Sequence, residues 1–203
     1  GWTPSTVNTI DYITISSAGD ATDFGDLTTV MATGSSGGSF TRAIMAGGQV
    51  PGSTNHVEYV TIMSAGNGSD FGDLTSTVDQ TAGGSNTTRM INSGDHPATT
   101  VIDYAQIAFV GNFTDFGDLT VARGGHGATA NPTRCVFAGG TSYKNVIDYI
   151  EINTTGNAAD FGDLSAGKDY FSANASSTRG VFGGGRVPGL SLIHISEPTR
   201  RTP

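Results

Sequence analysis

The sequence has little of what would support crosslinks, helices or a basic surface. Its one cysteine, Cys135, excludes an intrachain disulfide, and we expect a buried thiol because free cysteine is among the most buried residue types. Long runs of alanine, glutamate, leucine and lysine are missing, which predicts little or no helix. No apolar run approaches the roughly 18 residues that span a bilayer, and no signal peptide opens the chain, so we expect a soluble protein without a membrane span.

Charge and glycine content narrow the class further. The net charge is −8, and Lys144 and Lys168 are the only lysines, so the chain offers no basic stripe for phosphate and nucleic acid is not an expected partner. Glycine accounts for 30 of the 203 residues, while charged residues make up only 14%. This composition favours short strands joined by tight turns.

An internal repeat dominates the sequence. The pentapeptide Asp-Phe-Gly-Asp-Leu begins at residues 23, 70, 115 and 160, in steps of 47, 45 and 45 residues. An Ile-Asp-Tyr-like triplet and a Thr-Arg pair follow the same steps. The repeated residues to which we assign structural roles are Asp23, Phe24, Asp26, Leu27, Asp70, Phe71, Asp73, Leu74, Asp115, Phe116, Asp118, Leu119, Asp160, Phe161, Asp163, Leu164, Arg42, Arg89, Arg134 and Arg179.

Each repeat is predicted to form four short antiparallel strands. The strand after Thr-Arg, such as residues 43–46, has small residues at every second position, and we expect it to be the innermost. In Asp-Phe-Gly-Asp-Leu, a bulge or turn at the glycine would bring phenylalanine and leucine to one face, and the aspartates would cap that turn. The two additional residues of the first repeat fall within 47–53, which predicts a loop.

Counted as sheets, the chain contains three complete units flanked by half a unit at each end. The N-terminal half starts near Val7 and the C-terminal half ends near Gly185. Pairing of these halves would close a four-bladed ring; the alternative is an arc of a larger propeller. We therefore divide the chain into a β-propeller domain over residues 1–189 and a tail over residues 190–203.

Several of these motifs together resemble a kelch repeat. They are Arg123 with His126, the stretch 135–140, the stretch 146–149 and the element 161–164, in which phenylalanine stands where tryptophan is usual. The resemblance implies an all-β, kelch-like β-propeller. A second series, Ile-Asp-Tyr, Thr-Gly-Asn, Asp-Phe-Gly-Asp-Leu and Thr-Arg-Gly-Val-Phe, is similar to repeat arrays in structural proteins of marine tailed bacteriophages, which implies a virion or tail-fibre component. The tail resembles translated sequencing-adapter sequence; the alternative is a fifth Ile-Asp-Tyr-like strand at 192–195.

The sequence offers few residues for chemistry. Asp20, Asn67, Asn112 and Asn157 would supply an oxygen three residues before each repeat's first aspartate, which suggests calcium. Calcium loops use a denser series of oxygen ligands, so we favour turn capping and predict no metal. The arginine column is expected to pair with carboxylates of neighbouring blades; an anion-binding ring around the channel is the alternative. Nearly identical units argue against catalysis, so we predict no enzyme and no cofactor.

We interpret the chain as a binding module located in a virion. The variable loops Gln49 to Asn55, Asp95 to Thr100, Thr141 to Asn145 and Arg186 to Gly189 should share one face and contact a protein or glycan surface, or other virion proteins. The candidate binding residues are Gln49, Asn55, Asp95, His96, Tyr143, Lys144 and Arg186. The alternatives are a fragment of a propeller enzyme, a glycan-active hydrolase or oxidase whose catalytic residues lie elsewhere, and a purely architectural spacer.

Overall fold

The computed structural model describes residues 6–188, and all of the regular secondary structure in this range is β-strand. Seventeen strands occur there and no helix, so these residues contain no helix that could span a membrane. The strands are β1 (Thr9–Tyr12), β2 (Thr22–Asp26), β3 (Ser35–Gly38), β4 (Arg42–Ala46), β5 (Gln49–Val50), β6 (Gly52–Thr61), β7 (Ser69–Val78), β8 (Ala82–Ser85), β9 (Arg89–Ser93), β10 (Thr99–Gln106), β11 (Thr114–Arg123), β12 (Gly127–Ala130), β13 (Arg134–Ala138), β14 (Val146–Glu151), β15 (Ala159–Asp163), β16 (Ser172–Ala175) and β17 (Gly180–Gly183).

The strands form five antiparallel sheets. Sheet 1 is β1–β2, sheet 2 is β3–β4–β6–β7 with β5 paired to the start of β6, sheet 3 is β8–β9–β10–β11, sheet 4 is β12–β13–β14–β15 and sheet 5 is β16–β17. The predicted three full units with a half unit at each end are therefore confirmed. Within the described residues the two half-sheets do not pair with each other, so the sheets are not closed into a ring. The residue 47–53 segment, predicted to be a loop, contains the two-residue strand β5.

In sheets 2 to 5 the innermost strand is the first one. The prediction that the strand after Thr-Arg is innermost is therefore wrong. Strands β3, β8, β12 and β16 pack against one another from sheet to sheet. The strand after Thr-Arg, such as β4, lies second, between the first and third strands. First strands such as Ser-Ser-Gly-Gly at Ser35–Gly38 carry small side chains, which lets neighbouring sheets approach closely around their common centre.

The repeated pentapeptide contains the predicted bulge. In sheet 1, Ile10 is opposite Gly25 and Asp11 is opposite Asp23, which leaves Phe24 as the additional residue. The bulge turns this phenylalanine inward, and Phe24, Phe71 and Phe116 are all buried. Asp23 Oδ1 accepts a hydrogen bond from Gly25 N (3.1 Å), as the capping role predicts. The equivalent bond in sheet 2 runs from Gly72 N to Asp70 Oδ1 (3.0 Å).

Consecutive sheets meet at a seam between the outer strand of one sheet and the third-to-fourth-strand loop of the next. At the first seam, Gly66 N donates to Phe24 O (2.7 Å) and Asp26 N donates to Asn67 Oδ1 (3.0 Å). A Cβ on Gly25 would lie 2.6 Å from the Gly66 carbonyl carbon, so this approach requires glycine. The same bonds recur at the next two seams, between Phe71 and Gly111, Asp73 and Asn112, Phe116 and Gly156, and Asp118 and Asn157.

Each seam also contains a buried carboxylate. Glu58, Asp103 and Asp148, from the Ile-Asp-Tyr-like triplets, are almost completely excluded from solvent. Each one accepts hydrogen bonds from the hydroxyl and backbone N–H of a threonine in the preceding sheet, at hydroxyl distances of 2.8, 2.8 and 2.6 Å. The threonines are Thr28, Thr75 and Thr120. These bonds replace the water that the carboxylates lose on burial.

The arginine column does not pair with carboxylates of neighbouring sheets, which corrects the prediction. Arg42 stacks on the Tyr59 ring of its own sheet, 4.6 Å from the ring centre, and donates to Ile107 O of the next sheet (2.9 Å). Arg89 repeats this arrangement with Tyr104 and Ile152, and Arg134 stacks on Tyr149 and pairs with Glu151 of the same sheet (2.6 Å). A planar guanidinium group suits such stacking.

Candidate functional site

The structure places the variable loops on one face, which we call the loop face. It consists of the connections that follow each second strand, 47–51, 94–98, 139–145 and 184–188, and of the segments that precede each first strand, 31–34, 78–81, 123–126 and 168–171. Two of the predicted loops are therefore shorter than expected, because residues 52–55 belong to β6 and residues 99–100 belong to β10. Backbone bonds tie loop to segment: Gln49 N donates to Ala32 O (2.7 Å), Thr141 N to Gly124 O (2.8 Å) and Arg186 N to Asp169 O (2.8 Å). Gly189, the last residue of the predicted fourth loop, lies outside the described residues.

The segments before the first strands share an unusual backbone conformation. Thr33, Gln80, Gly125 and Tyr170 occupy equivalent positions and have φ angles of 60°, 51°, 56° and 51°. Left-handed backbone is uncommon for residues other than glycine and costs on the order of 1–3 kcal/mol at a strained site. Hydrogen bonds join these segments around the centre, from Thr81 N to Thr33 O (3.3 Å), Gly125 N to Gln80 O (2.8 Å) and Tyr170 N to Gly125 O (2.7 Å).

These segments surround a small pocket, which we call the inner pocket. It has a volume of about 200 Å³, and Gln80, Thr81, His126 and Tyr170 are among the residues that line it. The Tyr170 hydroxyl donates a hydrogen bond to Gln80 Oε1. Two buried polar atoms of the lining, Thr81 Oγ1 and His126 Nδ1, have no hydrogen-bond partner within the described residues. Buried polar atoms are usually paired, so the pocket has unused hydrogen-bonding capacity.

The hydrogen bonds around His126 indicate which ring nitrogen carries the proton. Ser93 Oγ donates to Ala82 O (3.3 Å), so it accepts from the His126 Nε2–H that lies 3.0 Å away. The remaining nitrogen, Nδ1, is then an acceptor. Burial, and next the nearby Arg123 charge, lower the pKa of His126 to about 3, which keeps the ring neutral. His126 Nδ1 is therefore a neutral, buried acceptor without a hydrogen-bond partner among residues 6–188.

An aromatic and cationic cluster flanks the inner pocket. The Arg186 guanidinium lies 4.3 Å from the centre of the Tyr170 ring and pairs with Asp169 through bonds of 2.9 and 3.2 Å. The pKa of Arg186 is raised, first by the Asp169 hydrogen bond, and the phenol groups of Tyr143 and Tyr170 act in the same direction. Both tyrosines are exposed. Of the predicted binding residues, Arg186 belongs to this cluster and Tyr143 lies within electrostatic reach of it.

The other predicted binding residues are separated or have structural partners. Asn55 lies inside strand β6, at a register shift between Thr54 and His56, and not in a loop. Asp95 Oδ1 accepts from Asp79 N (2.8 Å) and from His96 N (2.6 Å). The Lys144 ammonium group donates to Thr141 O (3.2 Å). Gln49 belongs to β5, and His96 is an exposed residue of the loop after sheet 3's second strand.

The cysteine and the repeated asparagines, the residues considered for chemistry, have structural environments. Burial raises the pKa of the Cys135 thiol to about 12, so the thiolate needed for nucleophilic attack is not formed near neutral pH. Across residues 6–188, no three His, Cys, Asp or Glu side chains are grouped to hold a metal ion. The oxygens of Asn67, Asn112 and Asn157, considered above as calcium ligands, instead accept the seam hydrogen bonds.

Tyr170, Gln80, Thr81 and His126 were not among the predicted site residues. They come from the segments before the first strands, where residue type varies between repeats, and the left-handed backbone of Gln80 and Tyr170 has no signature in the sequence. Comparison of the chain with protein-family models gives no match, and comparison with curated proteins gives none either. The all-β repeat architecture is compatible with a propeller-like array.

Proposed function

We propose that this chain is a non-enzymatic binding module that recognises a surface glycan through its loop face. The observation that carries the proposal is the inner pocket, whose lining includes Gln80, Thr81 and the exposed ring of Tyr170, with Tyr143 as a second exposed ring on the loop face. A sugar combines an apolar C–H face with hydroxyl groups. Its face would stack on a tyrosine ring, and its hydroxyl groups would bond to the polar side chains of the lining.

The size of the inner pocket limits what enters it. Sites for drug-sized ligands typically occupy about 300–1,000 Å³, whereas this pocket has about 200 Å³. It would therefore hold one substituent of a larger ligand, and the rest of the ligand would lie across the loop face. A glycan chain on a surface has this shape, because one residue can enter a pocket while its neighbours rest on exposed aromatic rings.

The repeats also support a location for the module. Their resemblance to kelch-like arrays in structural proteins of marine tailed bacteriophages supports a place in a virion or tail fibre. In that setting, a rigid β-scaffold would present the loop face to a host surface or to other virion proteins. The neutral His126 and the protonated Cys135 support a role without catalysis, since neither group exchanges protons near neutral pH.

A glycan array followed by calorimetry tests the proposal. We expect the wild-type chain to bind a defined group of glycans, and Tyr143→Ala to weaken binding of the strongest one by at least about tenfold, which corresponds to about 1.4 kcal/mol. Phe109→Ala is the matched control, because Phe109 is an exposed aromatic residue on a loop outside the loop face. Equal loss in both variants, or no glycan bound by the wild type, would leave architectural spacing as the better account.

A further inference from the structure

The two ends of the sheet array expose side chains that the interior of the array buries. Ile13 is 60% exposed in sheet 1, whereas its equivalents Val60, Ala105 and Ile150 are at most 6% exposed. Phe161 is 55% exposed in sheet 4, whereas Phe24, Phe71 and Phe116 are at most 8% exposed. Each end therefore presents one half of a surface that is buried wherever two sheets meet. We call them the N-end surface and the C-end surface.

The C-end surface contains an open groove between sheets 4 and 5. The groove has a volume of about 260 Å³, and its lining includes Val136, Ile147, Phe161, Arg179 and Phe182. The corresponding space between sheets 3 and 4 is filled, because Ile150 and Ile152 pack there with Phe116 and Cys135. The equivalents of those two isoleucines in sheet 1 are Ile13 and Ile15, and both are exposed.

The polar groups of the two surfaces are also complementary. At the three internal seams, a carboxylate of the triplet accepts from the hydroxyl that follows the repeated leucine. The fourth carboxylate, Asp11, is exposed on the N-end surface, and the fourth hydroxyl, Ser165, is exposed on the C-end surface. Gly162 repeats this relation on the C-end surface, because it has no atom within 4 Å of a built Cβ, whereas its equivalents Gly25, Gly72 and Gly117 each touch the next sheet.

The strand edges match in register as well. In sheets 2 and 4, the second strand pairs with the third so that Ile44 faces Tyr59 and Val136 faces Tyr149. Applied to the unpaired edge of β17, this register places Tyr12 of a β1 strand opposite Val181 and Ile10 opposite Gly183. Arg179 would then stack on the Tyr12 ring, as Arg42, Arg89 and Arg134 stack on theirs. An unpaired edge of this kind is a template for another strand.

We propose that the N-end surface of one copy of this chain docks on the C-end surface of a second copy, so that the chain associates head to tail. Within residues 6–188, sheet 1 is bonded to sheet 2 and leaves Ile13 and Ile15 exposed, so sheet 1 does not fill the groove of its own chain. A second copy supplies the same half-sheet and continues the seam already present between its sheets. Because the two surfaces differ, the contact is heterologous, and the resulting dimer keeps one free N-end surface and one free C-end surface.

Sedimentation velocity on the full chain and two end variants tests this proposal. We expect the wild type to sediment above its monomer mass of 20.8 kDa and to grow heavier with concentration, and Ile13→Asp and Phe161→Asp each to remain monomeric. Phe109→Asp is the matched control: its phenylalanine is 75% exposed, lies on neither end surface, and the variant should associate like the wild type. Unchanged circular dichroism spectra would establish that the end variants are folded.

Mixing the two end variants separates head-to-tail contact from other associations. The Ile13→Asp chain keeps its C-end surface and the Phe161→Asp chain keeps its N-end surface. An equimolar mixture should therefore form one heterodimer of twice the monomer mass and nothing larger. A wild type that stays monomeric at every concentration, whether its ends remain open or close on themselves, would overturn the proposal, as would a mixture that stays monomeric.

A disulfide trap checks the register of the same contact. Val181→Cys in one copy and Tyr12→Cys in another should form a disulfide-linked dimer on mild oxidation, because directly opposite residues of antiparallel strands have Cα atoms about 4.5–5.5 Å apart. Cys135 should not compete, since it is buried. Either cysteine variant oxidised alone should give far less crosslinked dimer than the mixture. Equal crosslinking alone and mixed would contradict the assigned register.

Discussion

Replacing Arg123 by valine removes one partner of a fully buried ion pair. Arg123 Nη2 lies 2.6 Å from Asp148 Oδ2, and neither side chain is exposed to solvent. Arg123 also donates to the carbonyl oxygens of Val146 (3.1 Å) and Gly139 (3.3 Å). The preceding repeat provides a natural reference, because valine, Val78, stands at the equivalent position and the equivalent carboxylate, Asp103, is buried with Thr75 as its hydrogen-bond donor.

The loss of stability should be large. Removing one partner of a buried pair typically costs about 3–5 kcal/mol, because the remaining charge is left buried. Asp103 shows that this fold accommodates a carboxylate held by threonine alone, so we expect the lower end, about 3 kcal/mol, which would reduce the urea midpoint by roughly 1–1.5 M. Asp148→Asn in the Arg123→Val background removes the charge, keeps an acceptor for Thr120, and should restore about 2 kcal/mol.

The loss should also depend on pH. Burial, as the largest cause, raises the pKa of Asp103, and Asp148 without its arginine should behave in the same way. A carboxyl group whose pKa is higher in the folded than in the unfolded state makes the protein more stable as pH falls through the folded pKa. The difference between wild type and Arg123→Val should therefore shrink from pH 7 toward pH 4.

Urea unfolding followed by circular dichroism at both pH values measures this difference. Arg134→Val is the matched control, because Arg134 and Glu151 form a partly exposed ion pair that water also stabilises, and its loss should be much smaller. If Arg123→Val were no more destabilising than Arg134→Val, or if its effect were the same at both pH values, the buried pair would not have the role assigned to it.

Two further predictions concern the seam glycines and the buried histidine. Gly72→Ala should cost roughly 1–3 kcal/mol or more, because its φ of 138° suits only glycine and the new Cβ would lie 2.6 Å from Gly111; Gly52→Ala, with open space around it, should cost far less in the same thermal unfolding measurement. His126 has a pKa of about 3 when folded and an ordinary value of 6.5, so the unfolded state alone takes up a proton between these values. Wild-type stability should fall by about 1.4 kcal/mol more per pH unit than that of His126→Gln between pH 6 and 4, and parallel pH profiles would contradict a buried neutral ring.

The strand count and the repeat boundaries could be predicted because the seams use the same residues each time. The bulge at Asp-Phe-Gly was also predictable, since phenylalanine and leucine three residues apart can reach one face only through an irregularity. The innermost strand could not be identified. Its residues, such as those of Ser35–Gly38 and Gly127–Ala130, are small or polar and show no apolar alternation, so the more hydrophobic strand next to it was assigned that position.

The candidate site was predictable only in part. Tyr143 and Arg186 stand out in loops whose sequences differ between repeats, and the structure places them within electrostatic reach of each other. Gln80 and Tyr170 lie in short segments at which each repeat has a different residue. What these positions share is a backbone conformation, imposed by the hydrogen bonds that join neighbouring sheets near the centre, and such bonds involve no side chain that a sequence could reveal.

The polar nature of the seams explains which columns of the repeat are identical and which vary. Positions that fill space tolerate different side chains of suitable size, as at Met90 and Cys135, or at Phe113 and Ala158. Positions that make the seam bonds require a particular atom at a particular place: a glycine where a Cβ would collide with a carbonyl, and a carboxylate opposite a hydroxyl. Because each sheet contacts mainly its neighbours, the same requirement arises independently at each seam, and the same residues meet it each time.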